Sequence, residues 1–345
     1  MVDVSSRPSP AELCAALSQL KVRVDSAVVE HSAVSLPDYP GGPRPSSVVR
    51  LSGKGCLGLG ENVAFFSEEQ QHFATFIESW LRRHAQNAEH RVGNALGAEG
   101  TPYERAALEA ALIDLGLRQA GLSLRDLTGV REASLRFVVS LAASADPLRL
   151  ISELRAAGYV GDLKIDVHPS WNVATLEALA EDSSIVIFDF KGRADRALAQ
   201  KLASLSRAAL FEDPPDDFED PRTREHPTRI SRDASLNDEH AVARARARGE
   251  AVNLKAPRMG GPLELLRGLE RALAPESTHA SPLFSAYMGG MFEVGVGRAQ
   301  ARQLAALYCS AAPNDLAPNS ASAEHSLRAN PPATIHLDRP GFGSG

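Results

Sequence analysis

Five short apolar runs, spaced at an almost constant interval, constrain the fold of this 345-residue chain more than any other feature. They are DLKID (162–166), IVIFD (185–189), AALFE (208–212), TRISRD (228–233) and AVNLK (251–255). Successive runs lie roughly 22 residues apart, and each interval holds a stretch that can form a helix, which is the spacing of βαβ units with parallel strands. The pattern therefore predicts an α/β fold in which strands and helices alternate.

Each run ends in a charged residue, which a strand buried in a core does not need. A doubly wound sheet would also alternate strands and helices, and charges at strand ends can simply be solvated. Five consecutive units with the charge always at the carboxyl end favour a TIM-type (β/α) barrel, because these ends converge at one mouth where active sites are built. The charged ends are Asp166, Asp189, Glu212, Asp233 and Lys255.

Three carboxylates and one or two lysines would meet at this mouth. Neighbouring carboxylates repel and raise each other's pKa. A divalent cation removes that conflict, and an all-oxygen ligand set suits Mg²⁺ or Mn²⁺ rather than zinc. The pattern predicts a metal site at the mouth of the barrel.

The composition is typical of a globular enzyme and argues against several other classes. With 43% hydrophobic residues and a net charge of −6, the chain is long enough for one barrel and a smaller domain. It has no basic tract, so nucleic acid and anionic membranes are not expected as partners. Three cysteines without metal-ligand spacing and an N-terminus without an apolar leader predict a cytoplasmic location.

The chain order predicts a smaller domain before the barrel. We expect an α+β cap over residues 1–130, a barrel over 131–320 and a tail, 321–345, that packs back on the cap. The Pro/Gly-rich segment 31–45 predicts a mobile loop, and the glycines of GKGCLGLGENV (53–63) predict a tight backbone without a dinucleotide fingerprint. Further strands are predicted at 22–29, 47–51, 135–141 and 282–287, and helices at 10–20, 65–90, 103–119, 147–158, 261–274 and 297–308.

Several motifs in a consistent order resemble the enolase superfamily, and within it the muconate-lactonizing subgroup that includes o-succinylbenzoate synthases and N-acylamino acid racemases. The resemblance runs from about Val48 to Ser322. Its most specific pieces are GENVAF (60–65), YERAALEAALIDLGLRQAGLSLRDLTG (103–129), LFEDPP (210–215), NLKAPRMGG (253–261) and GGMFEVGVGRAQ (289–300).

The resemblance implies an α+β cap closed over a (β/α)7β barrel, and removal of the proton α to the carboxylate of a small molecule. Mg²⁺ would stabilise the resulting enediolate, and a lysine or histidine base is the pattern known for this superfamily. By matching position, Asp189, Glu212 and Asp233 correspond to the metal ligands and Lys255 to the lysine of the sixth strand. The segments 31–45 and 61–65 resemble the parts of the cap that close over substrate.

Three positions depart from the subgroup's pattern, all at the mouth. The second strand usually carries Lys-x-Lys, whose second lysine is the principal acid/base, but here Lys164 is followed by Asp166. The third strand usually reads Asp-x-Asn, and here it reads Asp-Phe-Lys, ending at Lys191. The fifth usually reads Asp-Glu-Ser, and here it reads Asp-Ala-Ser from Asp233.

Two interpretations of these departures remain open. Lys191 could restore the ammonium lost at position 166 and pair with Asp166, or the two could form an ion pair left after the original chemistry was lost. The first favours an enzyme that dehydrates, racemises or cycloisomerises a small carboxylate, with Lys255 and either Lys164 or Lys191 handling protons. The second favours a barrel that binds a carboxylate or a partner. Neither fixes the substrate, and a homo-oligomer remains open.

Three other residues near the mouth have simpler interpretations. His168 could be a base, but a loop histidine beside a proline is more often a packing or surface residue. Trp171 is predicted to lie in the core. Glu293 could form hydrogen bonds at the mouth or have a structural role.

Overall fold

The computed structural model describes residues 7–35, 42–84, 88–97, 99–192, 195–221, 228–275, 284–317 and 330–343. Its first part mixes antiparallel strands with helices. The strands are β1 (Lys21–Val22), β2 (Ser26–Val34), β3 (Arg44–Gly53), β4 (Cys56–Asn62) and β5 (His90–Arg91). The helices are α1 (Pro10–Gln19), α2 (Ser67–His84), α3 (Val92–Ala95), α4 (Pro102–Ala120) and α5 (Leu124–Thr128).

The core of this part is a three-stranded antiparallel sheet, in the order β2-β3-β4, with α4 packed on it. Strand β4 corrects the sequence prediction, because the glycine-rich stretch around it forms regular structure and not only a tight connection. Gly58 and Gly60 are needed for packing: a Cβ at Gly60 would lie 1.9 Å from the carbonyl oxygen of Ala107 in α4, and one at Gly58 2.3 Å from that of Ala111. The glycines let helix and strand backbones approach closely.

Gly60→Ala should therefore destabilise the cap, because backbone atoms of α4 cannot move aside as a flexible side chain can. We expect a loss of at least the ~1–3 kcal/mol typical of overpacking, measured as a lower midpoint of thermal unfolding. Leu57→Ala on the same strand is the control, since Leu57 is half exposed and should change the midpoint little. Equal midpoints for Gly60→Ala and wild type would show that β4 and α4 are not this close.

The second part alternates strands and helices. Its strands are β6 (Glu132–Leu135), β7 (Val138–Leu141), β8 (Asp162–Asp166), β9 (Ile185–Asp189), β10 (Leu210–Glu212), β11 (Ile230–Arg232), β12 (Ala251–Leu254), β13 (Ala286–Met288) and β14 (Ala333–His336). Its helices are α6 (Pro147–Ala156), α7 (Val173–Glu181), α8 (Arg196–Leu205), α9 (Glu239–Ala247), α10 (Ala256–Met259), α11 (Pro262–Leu273) and α12 (Val296–Tyr308).

Polar residues begin the helices that cross between these strands. The side chains of Asp146, Asn172, Asp195 and Asp238 each accept a hydrogen bond from a backbone N–H in the first turn of α6, α7, α8 and α9. Such caps satisfy donors that the helix itself leaves unpaired. They fix where each strand-end loop stops and so set the length of the loops at the barrel mouth.

Strands β7 to β13 form one parallel sheet in chain order. The segment Asn314–Asp315 lies between its first and last strands, with bridges to Phe137 on one side and Gly289 on the other. This eighth position completes the (β/α)7β barrel, so the predicted fold class is confirmed. Because every strand runs the same way, the charged strand ends share one mouth.

The structure corrects several predicted bounds. The first barrel strand begins at Val138, because Glu132–Leu135 is a separate strand, β6, paired with β14. Residues 31–34 and 44–45 extend β2 and β3, so the predicted loop at 31–45 is shorter, and residues 36–41 lie outside the described part. The predicted strand at 282–287 is observed as β13, and residues 282–283 lie outside the described part.

The C-terminal tail, where it is described, contacts the first strand of the second part and helix α4 of the first part. Strand β14 pairs antiparallel with β6, and the backbone N–H of Phe342 donates to Asp114 in α4 at 2.7 Å. Cys14, Cys56 and Cys309 are free thiols. Among the described residues, none of the helices combines the length and apolar character needed to cross a membrane.

Candidate active site

A row of buried carboxylates lines the mouth of the barrel. Asp189 ends β9 and Glu212 ends β10, and these two residues are paired in register. Asp233 follows β11 directly. All three are buried, with Glu212 having 0% of its surface exposed. Parallel pairing therefore brings together the three residues that the sequence predicts as metal ligands.

Lys164 on β8 is the cation at the centre of this row. Its Nζ lies 2.5 Å from Oε1 of Glu212, 3.0 Å from Oδ2 of Asp189 and 3.4 Å from Oδ2 of Asp315. Its side chain is 1% exposed. Burial lowers the pKa of Lys164, but the surrounding carboxylates outweigh burial and raise the pKa well above its ordinary value. The side chain is therefore an ammonium ion.

Lys255 and Arg258 hold the third carboxylate. The Nζ of Lys255, just after β12, lies 2.7 Å from Oδ2 of Asp233, and Nη1 of Arg258 donates to Oδ1 at 2.5 Å. Burial alone would raise the pKa of Asp233, but these two cations lower it to about 2. Asp233 is therefore ionised over the physiological pH range.

Lys191 lies beyond the end of β9 and contacts both Asp189 and Asp166. Its Nζ is 3.3 Å from Oδ1 of Asp166 and makes a closer ion pair with Oδ2 of Asp189. The side chain is 48% exposed, so it faces the open mouth. Its backbone has φ of 53°, in the left-handed region that residues other than glycine rarely adopt. The predicted contact between Asp166 and Lys191 is present in the structure.

Glu212 has partners on its second oxygen that the sequence analysis missed. Tyr287 and Asn253 both donate to Oε2, the latter at 3.2 Å, and Ser231 shares a hydrogen bond with the Tyr287 hydroxyl at 2.9 Å. Burial raises the pKa of Glu212 to about 8, against the opposing effect of Lys164. Ser231, Asn253 and Tyr287 lie on β11, β12 and β13 and point into the barrel beside Glu212. In strands of three or four residues, the sequence alone does not show which side chains will contact Glu212.

Asp213, the residue after Glu212, positions the loop that carries Asp233. Its carboxylate accepts hydrogen bonds from the backbone N–H of Asp233 at 3.0 Å and of Ala234 at 2.8 Å. Its own backbone has φ of 43°. A charged residue next to a strand end was the available sequence signal, but only the observed fold separates this positioning role from metal binding.

The remaining candidates lie away from the row. His168 is partly exposed, and its ring nitrogen Nδ1 forms a hydrogen bond with the hydroxyl of Ser170 at 2.7 Å. Trp171 is buried, as predicted, and its ring N–H donates to the carbonyl oxygen of Ser144 at 2.8 Å. Glu61, predicted in a segment that covers the substrate, is buried and accepts hydrogen bonds from the backbone of Val294, Gly295 and Gly297. Glu61 therefore fastens the loop after β13 to the cap.

The donor set is chemically suited to a hard divalent cation, since it consists of three carboxylates on neighbouring strands. In the observed arrangement all six oxygens of Asp189, Glu212 and Asp233 already accept from donors of the chain. Within the described ranges no group of three or more His, Cys, Asp or Glu residues is arranged as a metal site. Metal binding would require some of these donors to move.

Comparisons with known proteins place this barrel in a family. Two family models match, described as the N-terminal and C-terminal domains of a domain of unknown function, DUF8230, over residues 15–127 and 131–322. An N-succinylamino acid racemase from Thermus thermophilus is 31% identical over 297 residues, which cover 78% of this chain and 77% of that protein. An o-succinylbenzoate synthase from Enterococcus faecalis is 29% identical over 61% of this chain and 59% of that protein.

A solved structure supports the same placement. The crystal structure of an enolase-superfamily member from Listeria innocua superimposes with a TM-score of 0.72 at 22% identity, covering 93% of this chain and 94% of that one. At this identity the likeness shows the fold, whereas the racemase shows the family. The chain therefore belongs to the DUF8230 family, and its kinship with the racemase places it in the muconate-lactonizing subgroup of the enolase superfamily, a group of lyases and isomerases.

Proposed function

We propose that this enzyme removes the proton α to the carboxylate of a small substrate, and that the outcome is a dehydration of the o-succinylbenzoate synthase kind, a racemisation or a cycloisomerisation. The observation that carries the proposal is the order of side chains along the mouth. Lys191 follows β9 and Lys255 follows β12, so one amine stands at each end of the row that β10 and β11 complete. A substrate held against the row would have an amine at either end.

The chain's own residues supply proton carriers and fixed charge. Burial and Lys164 lower the pKa of Lys191, but Asp189 and Asp166 outweigh them and raise it above its ordinary value. Lys191 is therefore protonated in the resting site and holds a proton that it can deliver; to accept the α-proton it must first release its own. Lys255 lies buried against Asp233, within reach of the opposite end of a bound substrate. Placed proton carriers of this kind typically contribute about 10²–10⁴ in rate.

Asp189, Glu212 and Asp233 are the residues that would hold Mg²⁺ or Mn²⁺. When bound, the cation would supply positive charge at the substrate carboxylate, where negative charge develops as the α-proton leaves. The rest of the site would orient the substrate and exclude water. Relatives named as a racemase of N-succinylamino acids and as o-succinylbenzoate synthases suggest the substrate class. We take it to be a small carboxylate that carries a succinyl group.

Exchange of the α-proton with solvent tests this proposal without knowledge of the final product. Wild-type protein incubated in D₂O with Mg²⁺ should introduce deuterium into an N-succinylamino acid or into the precursor of o-succinylbenzoate. Mass spectrometry of the compound measures the deuterium that it has taken up. Treatment with a chelator should stop the exchange. If no compound of this class exchanges with either Mg²⁺ or Mn²⁺, the alternative gains support, namely a barrel that binds a carboxylate without turning it over.

A further inference from the structure

The ammonium of Lys164 is enclosed by carboxylates from three positions of the barrel. It touches Glu212, Asp189 and Asp315 at 2.5, 3.0 and 3.4 Å, and its side chain is 1% exposed. Lys191, which also pairs with Asp189, is 48% exposed by contrast. Three carboxylate oxygens around one buried positive charge resemble the surroundings of a bound cation more than a surface ion pair.

The oxygens that Lys164 contacts are the ones most readily offered to a metal. The other oxygen of Glu212 accepts from Tyr287 and Asn253, and the other oxygen of Asp189 accepts from the backbone N–H of Lys191 at 3.0 Å. Oδ2 of Asp189 also accepts from Nζ of Lys191, which is half exposed at the open mouth, whereas Lys164 is buried. A divalent ion would therefore have to bind Oε1 of Glu212 and Oδ2 of Asp189. Mg²⁺ sits about 2.0–2.1 Å from its oxygen ligands, so it would share the space beside these atoms with the ammonium and be repelled by it.

We infer that Lys164 and a divalent cation compete for the same two carboxylate oxygens, so that Lys164 sets the metal affinity of the site and withdraws when metal binds. This inference rests on the proposed function, because it takes Asp189 and Glu212 as metal ligands. Asp315 is the partner that Lys164 keeps on withdrawal. It lies at the eighth barrel position, is partly exposed, and is not one of the three proposed ligands.

Binding of Mn²⁺, followed by the electron paramagnetic resonance signal of the free ion, tests the competition directly. Lys164→Met should bind Mn²⁺ roughly tenfold or more tightly than wild type, because a buried charge next to the ligands is removed. Lys191→Met is the matched control, because it removes the other ammonium from the same oxygen of Asp189. Lys191 is 48% exposed and its ion pairs are with Asp166 and Asp189, not Glu212, so the gain in Mn²⁺ affinity should be much smaller. Mn²⁺ should also raise the melting temperature of Lys164→Met more than that of wild type.

Lys164→Met leaves buried carboxylates unpaired and can fail to fold, so a second variant decides the question independently. Asp315→Asn takes away the partner to which Lys164 withdraws. This variant, which keeps Lys164, should therefore bind Mn²⁺ more weakly than wild type. Asp166→Asn removes a carboxylate from the same mouth that pairs with Lys191 instead. The loss of affinity should be larger for Asp315→Asn than for Asp166→Asn.

The outcomes separate this inference from the metal site itself. If wild type and Lys164→Met bind Mn²⁺ equally while Asp233→Asn loses binding, the metal site stands and the competition is ruled out. Equal affinities of Asp315→Asn and Asp166→Asn would overturn it as well. Absence of binding in wild type, Lys164→Met and Asp315→Asn alike would overturn both the inference and the proposed metal ligands.

Discussion

Replacement of Lys255 by alanine is expected to lower turnover by about 10²–10⁴-fold, the usual contribution of a placed proton carrier. Lys255 is buried at the mouth, and its ammonium lies 2.7 Å from Asp233. Because Arg258 also contacts Asp233, the variant leaves this carboxylate paired, so a folding defect should not dominate. Steady-state turnover of the substrate identified by deuterium exchange measures the loss, and the melting temperature shows whether the variant is folded.

Arg258→Met is the matched control for charge. It removes the other cation on Asp233, but a guanidinium stays protonated in proteins and cannot carry the reacting proton. Its loss of turnover should therefore be clearly smaller than that of Lys255→Ala. If Lys255→Ala keeps a near-normal rate, Lys255 has no part in proton transfer. Equal losses in the two variants would mean that Lys255 serves only to balance the charge of Asp233.

The barrel was predictable because its pattern repeats. Strands β8 to β12 lie within two residues of the five apolar runs, and their charged ends share one mouth as the spacing requires. The cap was harder to predict. Strand β4 is rich in glycine because α4 presses against it, and this close contact between distant segments leaves no periodicity in the sequence. The closing segment Asn314–Asp315 could not be predicted for a different reason, because two residues are too few to show a periodicity.

Sequence reasoning identified the candidate residues of the site better than it identified their partners. It predicted the row of acids, and it paired Asp166 with Lys191 because residues two apart on a strand share a face. It did not predict that Lys164 would contact Glu212, because this contact depends on the rotamer of a long side chain and on burial. It missed the roles of Tyr287 and Asp315. Tyr287 lies on the three-residue strand β13 and Asp315 on the two-residue closing segment, and such short segments have little pattern in the sequence.

Charge balance connects the metal to the substrate. In the structure, five acids of the site form ion pairs with four cations. The acids are Asp166, Asp189, Glu212, Asp233 and Asp315, and the cations are Lys164, Lys191, Lys255 and Arg258. A site with nearly equal charges of both signs has little attraction for a carboxylate. A divalent cation bound to some of these carboxylates would replace the lysines that now pair with them. The ammonium groups so released could then face the substrate. Metal and carboxylate substrate should then bind cooperatively, each having the same effect on the affinity of the other.

The backbone at Lys191 is strained, which is consistent with a functional role. A non-glycine residue in the left-handed region costs of order 1–3 kcal/mol, and such residues cluster at active sites. Asparagine, which the subgroup usually has at this position, tolerates this conformation well, whereas lysine has no such preference. The strain together with the contact to Asp166 therefore favours the interpretation that Lys191 has taken over the work of the lysine absent from position 166.

Lys191→Ala should then abolish exchange of the α-proton with D₂O in a bound carboxylate, while exposed Lys201→Ala should leave exchange at the wild-type rate. The double change Asp166→Lys with Lys191→Asn rebuilds the usual pattern of the subgroup and should restore exchange. Its effect should not equal the sum of the single changes, because the two side chains are in contact. Exchange that survives Lys191→Ala would move the base to Lys164 or Lys255. A wild type without exchange, together with a double variant that gains it, would instead identify Asp166 and Lys191 as an ion pair left after catalysis was lost.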